Sequence, residues 1–384
     1  MLDTSHVVAS VLPTVVDVRR AIHRHPELSK QEFATTDLVA GHLTAAGLRP
    51  RLRTPKSGLT VDVGSEGPLV VFRADLDALP ITEPAGLPFA SQTPGVMHAC
   101  GHDAHTAIAL GLAIAWENVG NGRRVRFLFQ PSEEVFPGGA DEMAAEGAVS
   151  GAQAIVAFHV DPHLPAGLVG VKPGAITSSA DRFSILLEGP GGHTARPHET
   201  VDIVQAAGHV AANLAGIVTR LIDARAPLAI TFGQIHGGTA DNVIPTTVQM
   251  SGTVRTPDQE TWAKVPELIR RVAADLAAPF GATAEVRYNR GLPPVVNDAV
   301  LVERLTPAIE RALGPGSVTS THTSMGGEDF ALYLTETPGV LFRLGCAAGT
   351  SATNDLHSAS FTLDEHSLET ALHAGLEILQ ELTA

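Results

Sequence analysis

The chain has 384 residues, enough for two domains of ordinary size, each with its own core. Its net charge of −15, from 26 basic and 41 acidic residues, excludes a general binder of nucleic acid or of anionic membranes. Two cysteines cannot build a disulfide framework, the N-terminal residues lack a basic secretory region, and the longest apolar run, Ala107–Trp116, is about half a membrane span. A soluble cytoplasmic protein is expected. The short basic clusters at 49–53 and 123–126 read as solvated surface.

Four short apolar runs each end abruptly in polar residues. Leu69–Phe72 leads into Arg73-Ala74-Asp75-Leu76-Asp77, and Val125–Phe129 into Gln130-Pro131-Ser132-Glu133-Glu134. Ala154–Phe158 leads into His159-Val160-Asp161, and Val340–Leu344 through Gly345-Cys346 towards Asp355-Leu356-His357. β-rich runs separated by helix-length segments predict buried strands of an α/β sheet. In such sheets the ligand crevice lies off the carboxyl ends of the strands, where these Asp, Glu and His residues fall.

Between the third and fourth runs the rhythm changes. Arg182–Glu188 predicts a strand and Val201–Leu221 a helix; Leu228–Ile235 and Thr247–Arg255 predict two strands across a Gly-rich turn. A helix over Asp258–Ala277 and a strand over Thr283–Tyr288 complete a β-α-β-β-α-β order of ferredoxin type. The expected organisation is a catalytic domain over residues 1–178 and 291–384, its largely parallel mixed sheet flanked by helices, with an inserted ferredoxin-like lid over 179–290.

The densest cluster is His98-Ala99-Cys100-Gly101-His102-Asp103-Ala104-His105. Cys and His two apart can face one metal when the glycine between them permits a tight turn. Glu133-Glu134 is the only Glu-Glu pair in the chain. Adjacent carboxylates repel unless a cation lies between them or one is protonated. On extended backbone they would point opposite ways, one to a metal and one to the substrate water. Solvated loop charge is the plainer alternative for such a pair, as a hydrogen-bonded structural histidine is for His159 or His357 taken singly. Together Cys100, His102, Glu134, His159 and His357 supply N, O and S donors suited to one or two divalent transition metals rather than Mg or Ca. No H-E-x-x-H helix, G-x-S-x-G elbow, P-loop or G-x-G-x-x-G fingerprint occurs, which leaves metal-assisted hydrolysis.

Two inserted-domain turns, Gly191–His198 and Ala240–Pro245, read as Gly-, Asn- and Pro-rich connections that are also able to donate hydrogen bonds to an oxyanion.

These segments resemble the amidohydrolases that include hippurate hydrolases, N-acyl-amino-acid aminoacylases and indoleacetyl-amino-acid hydrolases, a branch of the two-domain metallo-carboxypeptidase and aminoacylase superfamily. The resemblance is carried nearly end to end by RRAIHRHPELSKQEFAT, FRADLDALPI, MHACGHDAHTA, FQPSEE, GGHTARPHETVDIV, GGTADNVIP, MGGEDFA and LHSASF. It implies the catalytic-domain-plus-lid fold and hydrolysis of an N-acyl amino acid to a carboxylic acid and a free amino acid. Cys100 resembles a metal-bridging thiolate and His102, Glu134, His159 and His357 the other ligands. Glu133 resembles the catalytic base, His193 and Asn242 lid residues that stabilise the tetrahedral intermediate, and Arg255 a binder of the substrate carboxylate. Two divalent ions are implied, zinc being the first expectation from the thiolate and imidazole donors, with Mn, Co and Ni as alternatives. A homodimer or higher homo-oligomer is implied, with no nucleic-acid or membrane partner. The alternative activity is a carboxypeptidase or dipeptidase using the same metals. A catalytically silent binding protein fits poorly because Glu133 is present, and two-metal phosphoesterase chemistry because carboxylate donors are few.

Overall fold

The computed structural model describes residues 4–347 and 355–384. In chain order the principal elements are α1 (Ser5–Arg24), β1 (Leu59–Val63), β2 (Glu66–Asp75), α2 (His102–Val119), β3 (Arg123–Gln130) and β4 (Ala152–Pro165). They continue with β5 (Ala180–Glu188), α3 (Ile203–Thr219), β6 (Ala229–Gly237), β7 (Thr247–Arg255), α4 (Gln259–Ala277) and β8 (Thr283–Leu292). α5 (Ala299–Leu313), β9 (Gly339–Ala347) and α6 (His366–Leu382) follow.

The described residues form two compact units. The first runs to Gly174 and resumes over Val296–His322 and from Asp329; the second is Ala175–Val295 with Thr323–Glu328. The first unit holds an eight-stranded mixed sheet whose centre runs β1-β3-β2-β4-β9. β2 is parallel to β3 and to β4, and β9 is parallel to β4, so the four expected apolar runs are its four neighbouring parallel strands. All nine residues of β9 are buried, as a strand covered on both faces requires.

The run Ala107–Trp116 is the middle of α2, buried on every side rather than along one stripe. α1 contributes Val8, Val11, Val15, Val18 and Ile22, a stripe at three-to-four spacing. A Cβ at Gly111 would lie 2.3 Å from Val15 Cγ2, so the missing side chain is what lets α1 and α2 approach. No helix among the described residues is long and apolar enough to cross a membrane. Cys346 lies in this core, its thiol pushed up to about 12 by burial, and both cysteines are free.

The second unit is a four-stranded antiparallel sheet in the order β6-β7-β5-β8 with α3 and α4 packed on it. Phe183, Ile185 and Leu187 of β5 alternate inward to meet Val210 and Leu214 of α3 and Ile269 and Val272 of α4. Asp202 and Asp258 cap the two helices by accepting from Gln205 N (3.1 Å) and Thr261 N (2.7 Å). The connection after β6 is more than the plain Gly-rich turn expected from sequence. Val243–Ile244 within it pairs with Gly192–His193 as a small separate ribbon.

The basic clusters are also not simply solvated. Arg53 pairs with Glu142 and Glu146 (2.9 and 2.8 Å), and Arg126 pairs with Asp62 (2.6 Å). Deeper still, Arg73 donates to Asp75 (2.6 Å), Gln130 (2.9 Å) and Asp329 (2.8 Å), and its side chain is 1% exposed. Removing one member of a buried ion-pair network leaves the others uncompensated. Arg73→Met is therefore expected to cost about 3–5 kcal/mol, read as a lowered urea midpoint at unchanged slope.

Candidate metal centre

The first unit brings together the five expected ligands. Gly101, at φ 81°, turns the chain so that Cys100 precedes and His102 opens α2; a Cβ there would be strained by that φ and lie 2.4 Å from Val160 Cγ2. One ligand atom each from Cys100, His102 and His159 lies within 4.8 Å of the others, and so do those of Cys100, Glu134 and His357. Cys100 is common to both triads. Its sulfur is 3.6 Å from His159 Nε2, while Glu134 Oε1 is 3.3 Å from His357 Nε2 and 3.9 Å from His102 Nε2.

Hydrogen bonds fix which ring nitrogens face this space. His102 Nδ1 is 2.9 Å from the Asp77 carbonyl oxygen and His159 Nδ1 is 2.8 Å from that of Val160, so both Nδ1 atoms carry hydrogen and donate. Nε2 is thus the nitrogen that each ring turns to this space, and that of His102 is buried without a hydrogen-bond partner. Ring nitrogens without protein partners beside a thiol and a carboxylate are the donor set of a transition metal, and the two triads fit two divalent ions. His105 lies in the same cluster but has no free nitrogen. Its Nδ1 donates to Asp75 Oδ1 (2.7 Å) and its Nε2 accepts from Val160 N (2.9 Å), so it supports the site rather than ligating.

The electrostatics describe a site short of positive charge. Burial pushes the Cys100 thiol up to about 12. Burial alone would strip His102 of its proton, yet the buried Asp75 charge together with the contacts to Cys100 and Asp77 outweighs it and holds His102 well above its ordinary value. His159 is held well below by burial and by its neighbours His105 and Arg343, which outweigh the pull of Asp75. His357 is raised by its contact with the Glu134 carboxylate.

The Glu pair corrects one expectation. The extended run ends at Gln130, and Ser132 takes a left-handed φ of 58°, so Glu133 and Glu134 sit in a turn rather than on extended backbone. Instead of facing opposite ways, the two carboxylates each bring an oxygen within 4.8 Å of one another and of a His102 ring nitrogen. His159 likewise lies inside β4 rather than beyond it, because the strand continues to Pro165. His357 has a left-handed φ of 61° and its N–H donates to Ala99 O (2.8 Å), next to Cys100. Residues 348–354 of the loop preceding it lie outside the described residues.

Asp77 is the organiser that the sequence reading missed. Its two carboxylate oxygens accept from Glu133 N and Glu134 N, each at 3.0 Å, while its carbonyl orients His102. The available signal was the D-x-D at the end of β2, which puts Asp75 and Asp77 on one face. His193 and Asn242 belong to the second unit, where the ribbon sets them side by side: His193 pairs with Val243 and Thr194 N donates to Asn242 O (3.3 Å). Both are exposed. Arg255 ends β7 and donates to Met325 O (2.9 Å).

Known proteins resemble this chain in sequence and in fold. The chain is 44% identical to a Rhodococcus jostii protein named for a glutamate–cysteine ligase, over 92% of this chain but only 45% of that protein. It thus spans less than half of that relative. It is 40% identical to an N-acetylcysteine deacetylase of Bacillus subtilis, over 93% of each, and 34% identical to thermostable carboxypeptidase 2 of Saccharolobus solfataricus, over 92% of each. A solved Bacillus subtilis structure, described as a dinuclear metal-binding peptidase of the M20 family, matches with a TM-score of 0.86 at 36% identity, over 97% of this chain and 98% of that one. The model of peptidase family M20/M25/M40 matches residues 71–383, so the chain belongs to that family.

Proposed function

We propose that the chain hydrolyses the amide bond of N-acyl amino acids, releasing a carboxylic acid and a free amino acid. The observation that carries this reading is the pair of donor triads sharing Cys100, with Glu133 beside them. Two divalent ions held there would acidify the attacking water and polarise the acyl oxygen. Cys100, His102, Glu134, His159 and His357 would hold them, zinc being the first choice for this donor set and Mn, Co and Ni the alternatives. Glu133 takes the proton from the attacking water and returns it to the departing amine nitrogen. His193 and Asn242 donate hydrogen bonds to the oxygen that gains charge, and Arg255 pairs with the substrate carboxylate. The lid spans 179–290 and the protein works in the cytoplasm, which accords with two free cysteines.

The relative named for N-acetylcysteine makes short N-acyl groups the first substrates to test. Across acetyl, benzoyl and longer acyl amino acids, with dipeptides alongside, kcat/KM is expected to be at least about tenfold higher for an N-acyl amino acid than for any dipeptide. The reverse ranking would favour the carboxypeptidase reading, which the Saccharolobus relative supports. Elemental analysis of freshly purified protein identifies the metal.

A homodimer is part of the same reading, with His193 completing the partner's site. Mixing Glu133→Gln with His193→Ala, each inactive alone, is expected to restore roughly a quarter of wild-type turnover once subunits exchange, because half the chains pair as heterodimers with one intact site. No recovery after exchange is verified by mass spectrometry would put His193 in its own chain's site.

A further inference from the structure

The fully buried Glu32, just before the helix Phe33–Ala45, has no part in the chemistry above. Its Oε1 accepts from Ser132 N (2.7 Å), Ser132 Oγ (3.1 Å) and Lys30 N (3.0 Å), and its Oε2 accepts from Ser57 Oγ (2.6 Å). Lys30 N also donates to Ser132 Oγ (2.8 Å). Two non-glycine residues in left-handed conformation, Lys30 at φ 68° and Ser132 at φ 58°, therefore meet on one carboxylate. Each conformation costs on the order of 1 kcal/mol and persists only where surrounding bonds over-determine it. A buried carboxylate is itself costly unless its oxygens are satisfied, and here neutral donors satisfy them.

Ser132 immediately precedes Glu133 and Glu134. The same short segment clamps the other side of the turn, since Ser29 Oγ donates to Asp77 Oδ2 (2.7 Å), the oxygen that also accepts from Glu134 N. The turn bearing the base and the ligand is thus gripped at its start by Glu32 and along its length by Asp77. We propose that Glu32 is a positioning residue for hydrolysis: by holding Ser132 left-handed it sets the direction in which Glu133 meets water and Glu134 meets metal. This rests on the roles given to Glu133 and Glu134 above.

The test uses metal-loaded full-length protein and the best N-acyl amino acid from the panel. Glu32→Ala is expected to lower kcat about 30- to 100-fold with KM changed less than about threefold, as a displaced general base should. It is also expected to weaken metal affinity about tenfold in chelator competition. Glu32→Gln keeps an acceptor for Ser132 and should stay within about fivefold of wild type. Adding Ser132→Gly to Glu32→Ala should recover about tenfold in kcat, because glycine enters the left-handed region without a Cβ penalty; a purely structural role for Glu32 predicts no recovery. A folded Glu32→Ala protein with wild-type kcat and metal affinity overturns the proposal, as does failure of the glycine rescue. Should Glu32→Ala not fold, Ser57→Ala decides: a kcat loss of about threefold or more supports the proposal and unchanged kcat overturns it. Glu133→Gln, assayed alongside, separates the two readings. If it retains turnover, the base assignment fails and this proposal with it; if it is inactive while Glu32→Ala is fully active, only the positioning role fails.

Discussion

Glu133→Gln is expected to lower kcat by about a thousandfold with metal content unchanged, whereas Glu134→Gln is expected to lose metal first and activity as a consequence. The two glutamates are adjacent and sit in one turn, their backbone N–H groups bound to the two oxygens of one Asp77 carboxylate. Their difference lies in what their side chains meet. Glu134 Oε1 lies 3.3 Å from His357 and shares a donor triad with Cys100. Glu133 is in neither triad built on Cys100. A glutamine at 133 cannot accept a proton, so proton transfer is removed while the ligand set is intact. A glutamine at 134 replaces an anionic donor by a neutral one beside a buried thiolate, and the ions lose both attraction and a bond. Elemental analysis beside single-turnover kinetics reads the two losses separately. Equal metal loss in both variants would overturn the division of labour.

How much of this was legible in the sequence depends on whether the determinant is local. The four parallel strands were, because apolar runs broken by polar residues leave a direct trace. The Cys-Gly-His spacing was too, since a single left-handed glycine is enough to turn both side chains to one place. The direction of the Glu133–Glu134 pair was not. It depends on Ser132, whose left-handed conformation is held by Glu32 from a hundred residues away. No local preference makes a serine left-handed, so pattern reading continued the extended strand. His105 was hard for a similar reason. Its residue type fits a ligand, and only the bonds from its helix to Asp75 and Val160, on two strands, show that both nitrogens are already used. The ribbon joining Val243 to His193 is another non-local pairing, hidden inside what reads as a plain Gly-rich turn.

Metal affinity is expected to rise steeply with pH, by about tenfold per unit or more between pH 6.5 and 8.5. The sign follows from the free protein. Burial pushes the Cys100 thiol up to about 12, so across that window it stays protonated, and only the thiolate ligates. Each Cys100 thiolate formed by metal uptake thus releases one proton, and one proton released gives one decade of affinity per pH unit. His102 adds to the slope, because Asp75 raises it well above its ordinary value and its proton must also leave before Nε2 can bind. His159 adds nothing; held well below its ordinary value, it is already neutral. His357, raised by Glu134, has a proton to lose as well, so the log of affinity against pH should run with a slope between about 1 and 3 in wild type. In Cys100→Ser the slope should fall by about one, with affinity at pH 8 lower by about a hundredfold or more, since a serine hydroxyl keeps its proton and is a poor donor to these metals. Competition with a chelator of known pH dependence measures both quantities. Alkylation is a weaker probe, because the thiol is 6% exposed and protonated even without metal. A flat wild-type profile would mean that Cys100 keeps its proton when metal binds, and the shared thiolate on which the two-ion reading depends would have to be abandoned.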